Sequence, residues 1–181
     1  MNVVQPIRDL DDIERMKNEL LKNGTRDYLL FVFGINTGLR IGDILALQVK
    51  DVRNQTHLVL REEKTGKLKR HFLNEQLKQD IDNYIQGMDD EEYLFQSRKG
   101  ENQPISRVQA YRILKGAADK VGIENIGTHT LRKTYGYHQY KRNRDIVKLQ
   151  HLFNHSSPSE TLRYIGIQQD DLDDMNRDFY L

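Results

Sequence analysis

The segment Thr37-Gly38-Leu39-Arg40-Ile41-Gly42-Asp43 predicts a corner between two helices, and the architecture can be built outward from it. Upstream, the near-continuous apolar run 28–33 predicts a helix buried at the centre of the domain. Downstream, apolar residues recur between 41 and 47 with the spacing of one helical face. Arg40 and Asp43 then share the first turn of this second helix and are close enough to touch.

The remaining segments predict an α+β fold that is mainly α-helical with a small antiparallel β-sheet. We find no internal repeat and no linker, so residues 1–181 are expected to form a single domain. The predicted helices cover 11–22, 25–37, 74–86, 106–121, 130–141 and 145–153, with Thr25 as the N-cap of the second. A further short helix starts with the capping box Ser157-Pro158-Ser159-Glu160. The predicted strands are a hairpin at 57–61 and 69–73 and a short strand at 93–95.

Composition excludes several classes of protein. The chain has no cysteine, which rules out a disulfide framework and a thiolate metal site and suits a reducing cytosol. The run 28–33 is far shorter than the roughly 20 residues that span a bilayer, and no signal-like segment follows Met1. We therefore expect a soluble, cytoplasmic protein.

The charge distribution is more informative than the total charge. A net charge of +1 does not by itself indicate a nucleic-acid-binding protein. Basic residues nevertheless cluster at 61–71 and 132–148, whereas acidic residues cluster at 80–92 and 170–178. A balanced total can conceal one positive face.

The sequence contains every side-chain type needed to break a phosphodiester bond without metal or water. Such a reaction needs a nucleophile, cations around the phosphate, a proton acceptor for the nucleophile and a proton donor for the leaving oxygen. Arginine can grip two phosphate oxygens with a planar, permanently charged fork, whereas lysine can give up a proton.

Five separate elements resemble, in order and spacing, the signature of the tyrosine recombinase (phage integrase) family. The resemblance extends over most of the chain, and a chance match at all five elements is improbable. The elements are Thr37-Gly38-Leu39-Arg40-Ile41-Gly42-Asp43, the hairpin lysine in Lys64-Thr65-Gly66-Lys67, the His129-Thr130-Leu131-Arg132 box, Leu152-Phe153-Asn154-His155, and Tyr164.

The resemblance implies the catalytic-domain fold of that family and a covalent mechanism. Arg40 and Arg132 would clamp the scissile phosphate while Tyr164 attacks phosphorus to give a 3′-phosphotyrosine. Lys64 would protonate the departing 5′ oxygen. Because the new bond keeps the energy of the broken one, a 5′-hydroxyl can reverse the step without ATP, and no metal or cofactor is implied.

Further roles follow from the same resemblance. His129 and His155 would donate hydrogen bonds to the phosphate, with His129 favoured as acceptor of the tyrosine proton. Asp43 matches an acidic position that would orient the active-site helix. The candidate DNA-binding residues are the basic side chains of Arg61, Lys67, Lys69, Arg70 and Lys133.

The sequence also departs from the family pattern. Asn154 stands where glycine is usual, and asparagine tolerates the left-handed backbone conformation better than most residues. Lys133 stands where histidine is frequent and adds charge beside the phosphate site. Only a short segment precedes Thr37, so we expect the family's N-terminal DNA-clamping domain to be absent and DNA binding to be weak and salt-sensitive.

The resemblance also implies partners. Double-stranded DNA is the expected substrate, bound by a homo-tetramer of chains that are monomeric when free, with an accessory DNA-binding protein as a further expectation. The tail 168–181 carries Leu172, Met175 and Phe179 at helical spacing. It could dock on its own core or on a neighbouring subunit, and the sequence leaves both open.

Two other functions remain open. A type IB topoisomerase-like enzyme would use the same chemistry to relax DNA, and a regulator on this fold could bind DNA without reacting. Each side chain also has a structural interpretation, since Arg40 and Lys64 could be solvated and Tyr164 could simply pack its ring. Four other histidines match no motif position and are interpreted as structural: His57, His71, His138 and His151.

Overall fold

The computed structural model describes residues 4–181, with the backbone alone at 169 and 170. The expected α+β architecture, mainly α-helical with a two-stranded antiparallel sheet, is confirmed. The helices are α1 Leu10–Asn23, α2 Thr25–Thr37, α3 Ile41–Leu45, α4 Glu75–Tyr84, α5 Arg107–Val121, α6 His129–Asn143, α7 Ile146–Phe153, α8 Pro158–Tyr164 and α9 Gln169–Arg177; the strands are β1 His57–Arg61 and β2 Leu68–Phe72, and a 3₁₀ turn covers Val49–Asp51.

Helix α2 is the centre of the domain, as its apolar run predicts. Residues 29–34 are buried, and the helix packs against α1, α4 and α6. A side chain at Gly34 would overlap Leu131 of α6, so glycine permits the close approach of these two helices. This packing brings the start of α6 beside the end of α2, where the corner lies.

The corner follows the geometry predicted by the segment after α2. Gly38 has φ 65° and donates its backbone N–H to Gly34 O at 3.0 Å, which ends α2 in the left-handed conformation. Arg40 then occupies the N-cap position of α3. Its side chain contacts Glu62 at the end of β1, so the ion pair of Arg40 is made with the hairpin.

The hairpin has one buried and one exposed face. Leu58 pairs with His71 in the antiparallel register, and both side chains are buried. Val59 and Phe72 point to the other face and are exposed. The loop between β1 and β2 carries Lys64 toward the corner.

Two local predictions were wrong. Residues 93–95 do not form a strand. Tyr93 makes only a single bridge with Gln48, because the 3₁₀ turn begins at the residue after Gln48 and the pairing cannot continue. Thr25 is already helical, and Gly24, with φ 128°, holds the N-cap position of α2.

The capping box predicted for α8 forms only in part. Ser157 Oγ accepts a hydrogen bond from Glu160 N at 3.1 Å, as expected of an N-cap. The Glu160 carboxylate, however, accepts from the backbone N–H and hydroxyl of Ser156. The glutamate therefore fastens the turn one residue upstream of the cap.

A second, smaller apolar cluster supports the C-terminal helices. Tyr140, Leu149, Phe153 and Ile165 form it on α6, α7 and the end of α8, separate from the main core around α2. Helix α6 joins the two clusters, since Leu131 belongs to the main core. The candidate site lies where these two packing units meet.

Helix α9 rests on α6 through polar contacts. Asp171 Oδ1 accepts from Tyr137 OH at 3.0 Å and lies 3.4 Å from Lys141 Nζ. The apolar side chains of Met175 and Phe179 remain exposed. Over residues 4–181 we find no helix that combines the length and apolarity required to cross a bilayer.

Candidate active site

Arg132 is the most firmly held cation of the site. It lies on the first turn of α6, is only 4% exposed, and donates from Nη1 to Gly38 O at 2.7 Å and from Nη2 to Phe153 O at 3.2 Å. Its guanidinium carbon lies 4.2 Å from the centre of the Phe153 ring. These contacts tie the corner, α6 and the end of α7 to one side chain.

Arg40 approaches from the other side of the same cleft. Its Nη1 lies 3.0 Å from Glu62 Oε1. The cleft has a volume of about 480 Å³ and opens to solvent between the corner, the hairpin loop and the start of α6. Its lining includes Arg40, Lys64, His129 and Arg132, so four of the six predicted catalytic residues share one cavity.

Tyr164 ends helix α8 and reaches this cleft through a histidine. Its hydroxyl lies 3.2 Å from His129 Nδ1. Its ring is packed edge-on by Phe153 and His155, with centroid separations of 5.6 and 5.0 Å. Burial raises the pKa of the Tyr164 hydroxyl, and the charge of Arg132 acts in the opposite direction. The hydroxyl thus stays protonated in the absence of DNA and needs a proton acceptor.

The environment keeps the two site histidines neutral. Burial lowers the pKa of His129 below 6.5, and the cations Lys133, Arg132, Arg40 and Lys64 lower it further. In the tautomer protonated at Nε2, His129 Nδ1 can accept the proton of a hydroxyl 3.2 Å away. Burial also lowers the pKa of His155, whose Nδ1 lies 3.0 Å from Thr161 Oγ1.

Asp43 joins the corner to the base of the hairpin loop. It is buried, and its Oδ1 accepts a hydrogen bond from Glu63 N at 2.9 Å. Glu63 precedes Lys64, so this bond helps to fix the exposed loop that carries the lysine. An orienting role for Asp43 is compatible with this position.

The sequence analysis missed Glu62, a buried acidic residue that contacts Arg40, Thr65 and Asn154. Its side chain is 1% exposed, and its Oε2 accepts hydrogen bonds from Thr65 Oγ1 at 2.7 Å and Asn154 Nδ2 at 2.8 Å. A signal was present in the sequence: Leu58 and Leu60 alternate along β1, and Glu62, the residue after the strand, continues the alternation on the inner face.

The five candidate DNA-binding residues fall into two groups. Arg61, Lys67 and Arg70 are exposed on the hairpin. Lys69 Nζ instead turns inward, 3.2 Å from His151 O and 3.3 Å from Asn154 Oδ1.

Lys133 is also engaged within the chain. Its Nζ donates to Val4 O at 2.8 Å and lies 5.1 Å from the centre of the Tyr164 ring. Lys133 is therefore held within the chain, with its charge beside the ring of Tyr164.

Comparison with known proteins gives a consistent picture. Residues 8–170 match the family model described as the phage integrase family. The chain is 56% identical over 170 residues to the probable integrase/recombinase YoeC of Bacillus subtilis, covering 94% of this chain and 93% of that protein. It is 30% identical over 160 residues to the tyrosine recombinase XerA of Pyrococcus furiosus, covering 87% of this chain and 56% of that protein.

Solved structures share the fold at low sequence identity. The crystal structure of XerA recombinase superimposes with a TM-score of 0.79 at 21% identity, over 98% of this chain and 66% of that chain. XerH recombinase bound to a palindromic difH substrate gives 0.75 at 17% identity, over 97% and 52%. The catalytic domain of bacteriophage HP1 integrase gives 0.64 at 18% identity, over 97% and 95%.

Proposed function

The chain belongs to the phage integrase family, and on that premise we propose that it is a site-specific recombinase that cuts and rejoins DNA through a 3′-phosphotyrosine at Tyr164. One observation carries the proposal: the Tyr164 hydroxyl lies 3.2 Å from His129 Nδ1, at the edge of a cleft lined by Arg40, Lys64 and Arg132. The side chains that we propose as nucleophile, proton acceptor, phosphate clamp and proton donor thus lie in or beside one cleft.

The proposed step balances within these side chains. The Tyr164 oxygen forms a bond to phosphorus while its proton passes to His129, and the bond from phosphorus to the 5′ oxygen breaks. Lys64 supplies a proton to that leaving oxygen. Arg40 and Arg132 stabilise the charge that develops on the non-bridging oxygens.

Independence from metal and ATP is part of the proposal. Two guanidinium groups can neutralise the transition state because each presents a fixed fork of charged donors to phosphate. The phosphotyrosine retains the energy of the cleaved ester, so attack by a 5′-hydroxyl restores a phosphodiester without another energy source.

We propose double-stranded DNA as the substrate, with the exposed cations Arg61, Lys67 and Arg70 of the hairpin contacting its backbone. The structural neighbour XerH was solved on a DNA substrate, which supports a DNA-facing role for this fold. With a net charge of +1, few phosphates can be neutralised, so affinity should be modest and fall with added salt.

The proposed assembly is a homo-tetramer on DNA formed from free monomers in a bacterial cytoplasm. Exchange between two duplexes requires four strand cuts, and each chain provides one Tyr164. The exposed apolar residues Leu172, Met175 and Phe179 give the tail a surface with which to contact a neighbour. The chain spans about half the length of XerA from Pyrococcus furiosus. We also propose an accessory DNA-binding protein as a partner, because the low net charge of the chain limits the number of phosphates that it can neutralise.

Covalent trapping tests the central step. The protein is incubated with sheared DNA of its host and denatured, and DNA that remains attached is recovered and sequenced. We expect attached DNA with the unaltered chain and none with Tyr164→Phe. The control is Tyr111→Phe, at an exposed position of α5, which should still give attached DNA. An adduct that persists in Tyr164→Phe, or DNA binding without any adduct, would contradict the proposal.

A further inference from the structure

We propose that Glu62 is a positioning residue of this site and that Asn154 is its partner. Together they would hold Arg40, the Lys64 loop and the turn before His155 as one unit. The inference rests on the proposed function, because it concerns how the residues of that reaction are placed. It starts from the position of a buried carboxylate between three elements that each carry a reacting side chain.

The first element is the corner. Glu62 Oε1 lies 3.0 Å from Arg40 Nη1, and the carboxylate side chain is 1% exposed. Burial alone would raise the pKa of Glu62, but the Thr65 hydrogen bond and the charges of Arg40 and Lys69 hold it below its usual value. The group is therefore an anion at neutral pH, and its attraction fixes the direction of the Arg40 fork.

The second element is the hairpin loop. Glu62 N donates to Lys67 O at 2.9 Å, and Glu62 O accepts from Gly66 N at 2.8 Å. Its Oε2 also accepts from Thr65 Oγ1 at 2.7 Å. Backbone and side chain of one residue thus close the loop on which Lys64 is exposed, and a shift of Glu62 would move that lysine.

The third element is the turn between α7 and α8. Asn154 has φ 56°, and its Nδ2 donates to Glu62 Oε2 at 2.8 Å while its Oδ1 lies 3.3 Å from Lys69 Nζ. Glycine would adopt this backbone conformation more easily but has no side-chain amide to donate a hydrogen bond. The asparagine side chain therefore links the turn before His155, through one hydrogen bond, to the Glu62 carboxylate that contacts Arg40.

The charges give the proposal a distinctive signature. Glu62 is an anion beside the cations that would receive the DNA phosphate, so removing its charge should leave DNA affinity unchanged or increase it. Cleavage should nevertheless slow, because Arg40 and Lys64 would lose their alignment. Loss of a residue that merely stabilised the fold would not slow cleavage while DNA binding stayed the same or became tighter.

The test compares binding and cleavage for Glu62→Gln and Asn154→Gly on a duplex carrying the sequence recovered by covalent trapping. We expect single-turnover adduct formation to fall by about 10- to 100-fold in Glu62→Gln, with DNA affinity equal to or above that of the unaltered chain. Asn154→Gly should lose less, and the double variant should lose less than the product of the two single effects. The matched controls are Glu75→Gln, which changes an exposed carboxylate at the start of α4, and Asn54→Gly, which changes another asparagine with φ 56°.

Equal losses of binding and cleavage in Glu62→Gln, or multiplicative effects in the double variant, would overturn the inference. A second measurement needs no DNA: in urea unfolding, the shifts in midpoint for Glu62→Gln and Asn154→Gly should be less than additive, and additive shifts would also overturn it. If the unaltered chain forms no adduct, the proposed function fails. The urea unfolding of the two single variants and the double variant would still test the contact between Glu62 and Asn154.

Discussion

The two sides of the candidate site are held in different ways. Arg132 is buried and donates to two backbone carbonyls, Gly38 O and Phe153 O, which belong to the ends of α2 and α7. Tyr164 lies at the end of α8, a helix of 7 residues, and its hydroxyl is held by the side chains of His129 and Arg132. The proposed phosphate-binding side is thus fixed by backbone groups, whereas the proposed nucleophile is held through side chains.

This difference suits the chemistry. Charged donors stabilise a transition state most when they need no rearrangement at the moment of reaction, and the carbonyl contacts of Arg132 provide that rigidity. A nucleophile must approach phosphorus as its bond forms. The Tyr164 ring is packed edge-on by Phe153 and His155, and such non-directional ring contacts tolerate small movements.

The rigid side should be sensitive even to a substitution that keeps the charge. Arg132→Lys keeps a positive charge, but one ammonium group cannot reproduce a planar fork that reaches both Gly38 O and Phe153 O. We expect the rate of adduct formation to fall by about 10²- to 10³-fold, as for loss of an oriented donor. Single-turnover cleavage with and without the substitution measures it. Arg142→Lys, at the exposed end of the same helix, is the control, and a loss no larger than that control's would refute a preorganised clamp.

The pH dependence of cleavage should sharpen the comparison from the side of the nucleophile. His129 must be neutral to accept a proton, and its pKa is lowered from 6.5 by burial and then by Lys133, the next largest cause. Adduct formation should therefore decline with falling pH through a pKa that lies below the ordinary value of histidine.

Lys133→Gln tests the cause of that shift. Loss of this cation should raise the pKa of His129 and move the acid limb of the rate profile to higher pH. Lys133 is not among the causes that shift the pKa of His155, so the displacement reports on His129. The measurement is the adduct rate from about pH 5 to 8 at constant ionic strength. An acid limb that stays in place would exclude His129 as the acceptor.

Local signals in the sequence predicted most of the fold. Helix α1 runs over Leu10–Asn23 against an expectation of 11–22, and α5 begins after the N-cap Ser106 at the predicted point. Such boundaries depend on caps and apolar spacing within a few residues. The expected strand at 93–95 depended on a partner far away in sequence, and the chain at Gln48 offers it only one bridge.

The roles assigned to the site residues from the sequence stay predictions. The motif residues were assigned one by one to helix starts and loops, and the structure places Arg40, His129 and Arg132 around one cleft. The contacts that hold them join distant parts of the chain, such as Glu62 with Asn154, and no local pattern specifies such a pair. Lys69 shows the same limit: its charge suggested DNA, while its position in the hairpin turns it inward.

The smallest effect on cleavage is expected from the tail, because the contacts described for Asp171 are with Tyr137 and Lys141 and do not involve the reacting side chains. Deletion of residues 169–181 removes the contacts of Asp171 with Tyr137 and Lys141 but none of those described between Tyr164 and His129. Strand cleavage should change by no more than about twofold, because contacts this remote from the reacting groups seldom couple to them. Recombination between two sites should be lost if the exposed Leu172 and Met175 engage a neighbouring subunit. Adduct formation on one duplex and recombinant product from a two-site plasmid separate the effects. Unchanged recombination would show that the tail acts only on its own chain, and loss of cleavage would show that α9 helps to place the nucleophile.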